Sequence, residues 1–300
     1  MSTSTRVLVT GATGTVGRHL VPLLRRRGAP VRAFVRDRAK AIDALGPDVD
    51  LAVGDLDDRA SLDAAVAGVD QVFLASANHP RQVAWETTAI DAAADAGVRR
   101  VVKLSARGAA IGSPVAFGDA HGRVEEYLRG RGVAHVVLRP GFYLTNLLGA
   151  ADGVRHGVLA LPAAGARIAM IDPRDVAQVA AAVLTGSGHD GRTYDLTGPE
   201  AVTGDDVARE LSTLLGHRID FVAVPDEAAL ARLAADGVPG WFATATVAVF
   251  GQLRRGVQSE ARDVVRAVTG REPRSVADFL ADHASAFPVA DDALAATTRR

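Results

Sequence analysis

Short apolar segments rich in β-branched residues alternate with segments of helical periodicity along the first half of the chain. The apolar segments predict strands at residues 7–9, 31–35, 51–53, 71–74, 100–104 and 134–138. The other segments predict helices from residue 16 onward and at residues 39–45, 60–66, 82–96 and 123–129. This alternation is typical of βαβ units, in which crossover helices join parallel strands. It predicts an α/β fold with a doubly wound parallel sheet of six strands.

The pattern changes after Phe142 to longer helices with fewer strands. Thr203 is a suitable N-cap for a helix that ends at Leu215, and residues 176–184 and 242–253 predict two more helices. Residues 194–199 predict a strand and a turn. We therefore expect two domains. Residues 1–150 form the doubly wound domain, residues 151–300 form a smaller, mostly helical substrate-binding region partly interleaved with it, and residues 290–300 form a frayed tail.

The first predicted strand ends in a glycine-rich turn with the sequence TGATGTVG at residues 10–17. Gly11 permits a tight turn, Gly14 allows the backbone to approach a pyrophosphate, and Gly17 allows the next helix to pack on the strand. The helix N-terminus attracts anions, so we predict a Rossmann dinucleotide site. Glycine turns also serve purely structural purposes. The predicted contacts in the turn are Gly11, Thr13, Gly14, Thr15, Val16 and Gly17.

The residue after the second strand indicates which dinucleotide binds. Arg36 lies 19 residues beyond Gly17, where an acidic residue would bind the 2′-hydroxyl of NAD and an arginine fits the 2′-phosphate of NADP. Lys40 adds positive charge nearby, so we predict NADP(H) as the cofactor. Asp37 is the alternative ribose contact if the register differs by one residue.

Polar and small residues after the later strands predict further cofactor contacts. Asp55 and Leu56 follow the third strand and suit the adenine, although Asp55 is equally well explained as a helix cap. Ala75 and Ser76 follow the fourth strand, where a ribose must pass, or else form an ordinary loop. Ser105, after the fifth strand, completes this group.

Composition narrows the class of protein. The 300 residues are 48% hydrophobic, carry a formal net charge of −1 and include no cysteine. A disulfide, a thiolate nucleophile and a cysteine-ligated zinc are therefore excluded, and charge gives no support for binding to nucleic acid or a membrane surface. The eight histidines lack metal-ligand spacing, so no metal site is predicted. Without an apolar leader or a spanning segment, we expect a cytoplasmic protein.

The Tyr-x-x-x-Lys pair that often serves as a proton donor beside such a sheet is absent, because no tyrosine is followed four residues later by lysine. Its expected helix carries His121 and Glu125 on one face instead, which could pass a proton or merely form a local ion pair at a solvated helix start. After the sixth strand, Gly141, Phe142 and Asn146 suit contact with a nicotinamide or substrate, unless Phe142 belongs to the core.

These motifs together resemble the NmrA-like branch of the atypical short-chain dehydrogenases, and within it the type 2 NAD(P)H:quinone oxidoreductases. The matching segments are residues 10–17, 35–37 with Lys40, 54–55, 121–125, 138–146 and 194–198. The His-x-x-x-Glu sequence in place of Tyr-x-x-x-Lys is the more specific part. The resemblance implies either a reductase of quinones, azo compounds or dye cations, or a redox-sensing regulator that binds the cofactor without turnover.

The preferred hypothesis is an NADPH-dependent oxidoreductase that delivers hydride directly to a quinone-like or other conjugated aromatic acceptor, without flavin or metal. His121 is expected to relay protons and Asn146 to act beside it on the acceptor. A non-catalytic NADP(H)-sensing regulator and a tailoring reductase of an aromatic biosynthetic intermediate are the alternatives. The expected partner is a small molecule, and the chain is expected to be a monomer or a homodimer.

Overall fold

The computed structural model describes residues 5–287, and the predicted tail at 290–300 lies outside this range. The chain divides into two compact units. The first comprises Met1–Pro140, Pro173–Leu196 and Val264–Arg271, and the second comprises Gly141–Asp172, Thr197–Asp263 and Glu272–Arg300. The division therefore falls ten residues before the predicted boundary at 150, and two later segments return to the first unit.

The first unit contains a seven-stranded parallel sheet. Its strands are β1 (Val7–Val9), β2 (Val31–Val35), β3 (Asp50–Val53), β4 (Gln71–Leu74), β5 (Arg100–Leu104), β6 (Ala134–Pro140) and β8 (Thr193–Leu196). They lie in the order β3-β2-β1-β4-β5-β6-β8. Its helices are α1 (Gly17–Arg26), α2 (Arg38–Leu45), α3 (Arg59–Val66), α4 (Gln82–Asp95), α5 (Ala116–Gly130), α7 (Pro173–Thr185) and α11 (Val264–Thr269). The predicted doubly wound sheet is confirmed.

Helices cover both faces of this sheet. Helices α3, α4 and α5 are neighbours on one face, where Leu8, Val72, Val101 and Leu128 belong to one buried apolar cluster. Helices α1, α7 and α11 are neighbours on the other. Because both faces are covered, the central strands are continuous buried runs, which is why the sequence predicts them well.

Two features of the first unit differ from the sequence prediction. Strand β8, which agrees with the strand predicted within residues 194–199, joins this sheet as a seventh strand beside β6, although it follows a long excursion of the chain through the second unit. Helix α5 begins at Ala116 rather than near residue 123. Glycines at 118 and 122 weaken its helical signal, yet Gly122 is required there, because a Cβ would lie 2.4 Å from the carbonyl carbon of Ala110.

The second unit contains a two-stranded parallel sheet and mostly short helices. The strands are β7 (Val158–Leu161) and β9 (Asp220–Ala223), and the helices are α6 (Ala151–Arg155), α8 (Gly204–Leu215), α9 (Asp226–Ala235), α10 (Gly240–Arg254) and α12 (Val276–Asp282), with 3-10 turns at Leu144–Ala150 and Ala284–Ala286. Thr203 caps α8 as predicted, in a reciprocal capping box with Asp206. The two strands were not predicted; each has only four residues and is partly exposed.

No helix within residues 5–287 is long and apolar enough to cross a membrane.

Candidate active site

The glycine turn after β1 is shaped by two close backbone contacts. Gly11 has a φ of +59°, and a Cβ there would lie 3.0 Å from the carbonyl oxygen of Ala75. A Cβ on Gly17 would lie 2.2 Å from the carbonyl oxygen of Gly11, so any side chain would push α1 away from the turn. The geometry thus gives both glycines the steric reasons that the sequence suggested.

The start of α1 suits an anionic ligand. Its N-cap residue, Val16, supplies no side-chain hydrogen bond, and the first turn contains no acidic residue. The positive end of the helix dipole is therefore not neutralised by the protein's own side chains. The turn and the helix start together fit the pyrophosphate of a dinucleotide.

Thr10 ties this turn to the end of β4. Its Oγ1 donates to the carbonyl oxygen of Ala75 at 2.7 Å and lies 2.8 Å from the amide nitrogen of the same residue. Strands β1 and β4 are adjacent, with β2 on the other side of β1, so the turn lies where the strand order reverses. Ligands of doubly wound sheets bind at such a point. The predicted contacts Ala75 and Ser76 are therefore next to the glycine turn.

The two residues after β2, Arg36 and Asp37, have different environments. Oδ1 of Asp37 accepts a hydrogen bond from the amide of Lys40 at 3.1 Å and caps α2. The Lys40 ammonium lies 3.7 Å from Oδ2 of the same carboxylate. Arg36 precedes the cap and is exposed. Asp37 therefore has a structural role, and the Arg36 guanidinium is available to a ligand at the end of β2.

The structure does not give Asp55 the helix-capping role that the sequence offered as an alternative. Helix α3 is capped by Asp58, whose side chain accepts from the amide of Ala60. Asp55 instead accepts from the amide of Asp57 at 3.0 Å, and its own amide donates to Ser61. Asp55 and Leu56 are both partly buried. Without a capping role, Asp55 is left as a candidate for adenine contact.

A buried ion pair lies below the end of β5. Lys103 and Glu86 both have fully buried side chains, and Nζ lies 2.8 Å from Oε2. The same ammonium contacts the carbonyl oxygen of Leu104 and lies 3.2 Å from Nδ1 of His121. An ammonium can only donate, so the contact defines Nδ1 as an acceptor and places the imidazole proton on Nε2.

Two hydrogen bonds extend this cluster from α4 to the end of β4. Oε1 of Glu86 accepts from Oγ of Ser76 at 2.6 Å and from the amide of Gln82 at 3.3 Å. Gln82 Nε2 also lies 3.2 Å from Nδ1 of His121. Burial and the positive charge of Lys103 hold the pKa of His121 well below its usual range. The imidazole is therefore neutral near pH 7.

Glu125 belongs to a second network. It accepts from Ser105 Oγ at 2.6 Å, and Arg139 binds both of its carboxylate oxygens at 2.9 and 2.5 Å. Burial raises the pKa of Glu125, but the hydrogen bonds from Arg139 and Ser105 outweigh it and hold the pKa below its ordinary value. His121 and Glu125 share a helix face but face different partners, so the couple suggested by their spacing is not formed.

The remaining predicted contacts belong to the second unit. The amide of Phe142 donates to Oε1 of Gln258 at 2.7 Å, and its ring packs edge-on against Phe250 with 5.5 Å between centroids. Gly141 is buried, whereas Asn146 is exposed. Phe142 precedes the 3-10 turn that contains Asn146. Within residues 5–287, no group of three acidic, histidine or cysteine side chains is placed to hold a metal ion.

Comparison with known protein families identifies the family of this chain. A sequence profile of the NmrA-like family matches residues 3–280, which include the glycine turn, Lys103 and the helix that carries His121. The chain belongs to the NmrA-like family. The family predicted from the sequence motifs is confirmed.

Several proteins resemble this chain over almost its full length. An NAD(P)H azoreductase of Xenophilus azovorans is 37% identical over 285 residues, which cover 95% of this chain and 100% of that protein. A (4-alkanoyl-5-oxo-2,5-dihydrofuran-3-yl)methyl phosphate reductase of Streptomyces griseus subsp. griseus is 40% identical, covering 94% and 99%. The crystal structure of an NADPH-dependent quinone oxidoreductase from Escherichia coli, complexed with NADPH, superimposes with a TM-score of 0.85 at 27% identity, covering 92% and 99%.

Lys103, Glu86 and Gln82 were not predicted as site residues of this NmrA-like chain. Lys103 is one of only two lysines and interrupts an apolar strand, Arg100–Leu104, which is a signal that sequence reasoning could have used. A lysine in the middle of a buried strand needs a buried partner. Glu86 and Gln82 gave no such signal, because polar residues are ordinary in a helix.

Proposed function

We propose that this chain is an NADPH-dependent oxidoreductase that transfers hydride directly, without flavin or metal, to a conjugated, electron-poor acceptor of the quinone type. The observation that carries the proposal is the pairing of an uncapped helix start after the glycine turn with an exposed Arg36 after β2. The first accommodates a pyrophosphate and the second a 2′-phosphate. The activities named for the relatives support a reductase over a protein that only senses the cofactor.

Each predicted contact has a place in this proposal. The glycine turn holds the pyrophosphate through Gly11, Gly14 and Gly17, with Thr13, Thr15 and Val16. Arg36 and Lys40 bind the 2′-phosphate, and Asp55 and Leu56 bind the adenine. Ala75, Ser76 and Ser105 contact the nicotinamide half, and in the second unit Gly141 and Phe142 are further proposed cofactor contacts. When bound, NADPH supplies the hydride.

His121 and Asn146 are the residues proposed to act on the acceptor. The neutral imidazole carries its proton on Nε2 and accepts a hydrogen bond from the Lys103 ammonium at Nδ1. The Nε2–H can therefore donate a hydrogen bond to an acceptor oxygen, and the proton that the reduced acceptor gains is supplied by water. The amide of Asn146 is exposed and able to donate a hydrogen bond to an acceptor oxygen.

The acceptor class has a second candidate, a tailoring reductase of a biosynthetic intermediate. The Streptomyces relative is named for a dihydrofuranone whose double bond is conjugated with carbonyl groups. Such a bond accepts hydride for the same electronic reason as a quinone. This observation favours a non-aromatic unsaturated lactone over the aromatic intermediate that the sequence suggested.

A panel of acceptors tests the proposal. NADPH oxidation is followed by absorbance with quinones, azo dyes and an alkanoyl dihydrofuranone methyl phosphate, each against a protein-free control. We expect turnover with at least one class, and at least a tenfold lower kcat in the Asn146→Ala variant, since one hydrogen bond to developing charge is lost. Binding of NADPH without oxidation in the presence of any acceptor would instead support the cofactor-sensing regulator.

A further inference from the structure

Ser76 stands at the end of β4, beside the glycine turn. It follows Ala75, which Thr10 binds through both the carbonyl oxygen and the amide. The side chain is partly exposed, so one side of its hydroxyl remains open to a ligand. What a ligand meets there depends on the direction of the hydroxyl proton.

The buried ion pair determines that direction. Oγ of Ser76 lies 2.6 Å from Oε1 of Glu86 but 3.4 Å from its other acceptor, the carbonyl oxygen of Ala77. Glu86 is fully buried, and its Oε2 forms an ion pair with the Lys103 ammonium at 2.8 Å. A carboxylate only accepts hydrogen bonds, and a serine hydroxyl has one proton. The proton of Ser76 is thus committed to Glu86.

The ion pair cannot easily release Ser76 from this arrangement. The second neighbour of Oε1, the amide of Gln82, is itself a donor and cannot replace the carboxylate as acceptor for the serine. The lone pairs of the serine oxygen therefore face outward. The Ser76 hydroxyl therefore accepts a hydrogen bond from a ligand and does not donate one.

We propose that the Lys103–Glu86 pair fixes Ser76 as an obligatory hydrogen-bond acceptor that recognises a donor group on the nicotinamide half of the cofactor, either the carboxamide N–H or a ribose hydroxyl. Ser76 makes the contact, and Glu86 and Lys103 are positioning residues. The inference rests on the proposed function, because it requires NADPH as the ligand. It adds that the buried ion pair determines which kind of cofactor group, a hydrogen-bond donor, Ser76 can recognise.

Calorimetric titration with NADP⁺ and its 3-acetylpyridine analogue tests this proposal. The analogue replaces the carboxamide NH₂ with a methyl group and keeps both ribose hydroxyls. We expect Ser76→Ala to bind NADP⁺ about fivefold to tenfold more weakly than wild type, the loss of one hydrogen bond. Thr88→Ala is the matched control, because the Thr88 hydroxyl donates to the carbonyl oxygen of Ala84 within α4 and alanine is a good helix former.

The analogue identifies the donor. If the carboxamide is the partner, wild type prefers NADP⁺ over the analogue and Ser76→Ala loses that preference. If a ribose hydroxyl is the partner, Ser76→Ala weakens both ligands equally. Affinities in Ser76→Ala that equal those of wild type for both ligands would overturn the proposal, while failure of wild type to bind NADP⁺ at all would overturn the proposed function instead.

A charge-balanced double variant tests the positioning role. Glu86→Gln with Lys103→Met removes the ion pair without leaving an unpaired buried charge, and its folding is checked by thermal unfolding. The amide of the new glutamine donates as well as accepts, so Ser76 can turn its proton outward. We expect the folded double variant to reproduce the affinity loss of Ser76→Ala. Wild-type affinities for both ligands in the folded double variant would refute the role of the pair.

Discussion

At the scale of single residues, cofactor choice depends on which of two neighbours faces the ribose. The sequence left Arg36 and Asp37 as alternatives, and the structure assigns Asp37 to the N-cap of α2. An N-cap carboxylate is held in place by the amide it binds and is costly to redirect. Arg36 has no such local role in the structure and is exposed. This difference in local bonding, invisible in the sequence, favours NADPH over NADH.

Replacing Arg36 with alanine is expected to weaken NADPH binding about tenfold to a hundredfold, the loss of charge-assisted hydrogen bonds to the 2′-phosphate. Binding of NADH should change little. Calorimetric titration of both cofactors measures the effect, with Arg26→Ala, an exposed arginine at the end of α1, as the control. Asp37→Asn keeps a capping side chain and should retain the preference for NADPH. A switch towards NADH in Asp37→Asn would restore the alternative register.

At the scale of elements, the buried cluster joins β5 to the two helices that pack on its face. Lys103 comes from β5, Glu86 and Gln82 from α4, and His121 from α5. The strands and most helices were predictable, because βαβ periodicity is a local signal. The cluster was not, because its members lie up to 39 residues apart and only the packing of α4 beside α5 brings them together. The predicted pairing of His121 with Glu125 was wrong for the same reason. Their spacing places both on one helix face, but it does not show which side chains from other elements each of them contacts.

The pH dependence of stability tests the environment of His121. Its pKa is lowered by burial first and by Lys103 second, so the folded state excludes a proton that the unfolded chain binds below about pH 6.5. His121 therefore favours folding fully above that pH, and this advantage is lost as the pH falls towards the folded-state pKa. The lowered pKa thus makes the protein less stable in acid.

His121→Gln keeps an acceptor for Lys103 but cannot titrate. Between pH 7.5 and 5, wild type should lose up to about 2 kcal/mol more unfolding free energy than the variant, as measured by urea unfolding at both values. The titration of the groups that both proteins share changes both unfolding free energies alike and therefore cancels in this comparison. Equal losses of unfolding free energy in the two proteins would mean that the pKa of His121 is not lowered in the folded state.

At the scale of the whole molecule, the two units differ in how much the sequence revealed. The first unit follows the periodicity of a doubly wound sheet, and its departures were a strand and a helix supplied by later segments, β8 and α11. Residues 194–199 do predict a strand, but no local signal shows that this strand returns to the first sheet. The second unit has short strands and a core drawn from many elements, among them Leu144, Leu159, Leu211 and Phe279. Its sequence therefore predicted helices but neither the small sheet nor the acceptor.

The central claim is direct hydride transfer from NADPH to a conjugated acceptor. It is tested most directly by oxidation of NADPH deuterated at either face of C4, with flavin-free protein and the best acceptor of the panel. We predict that oxidation proceeds without added flavin and that deuterium on one face alone slows it. Oxidation that requires added flavin, or that deuterium on neither face slows under single-turnover conditions, would contradict direct transfer.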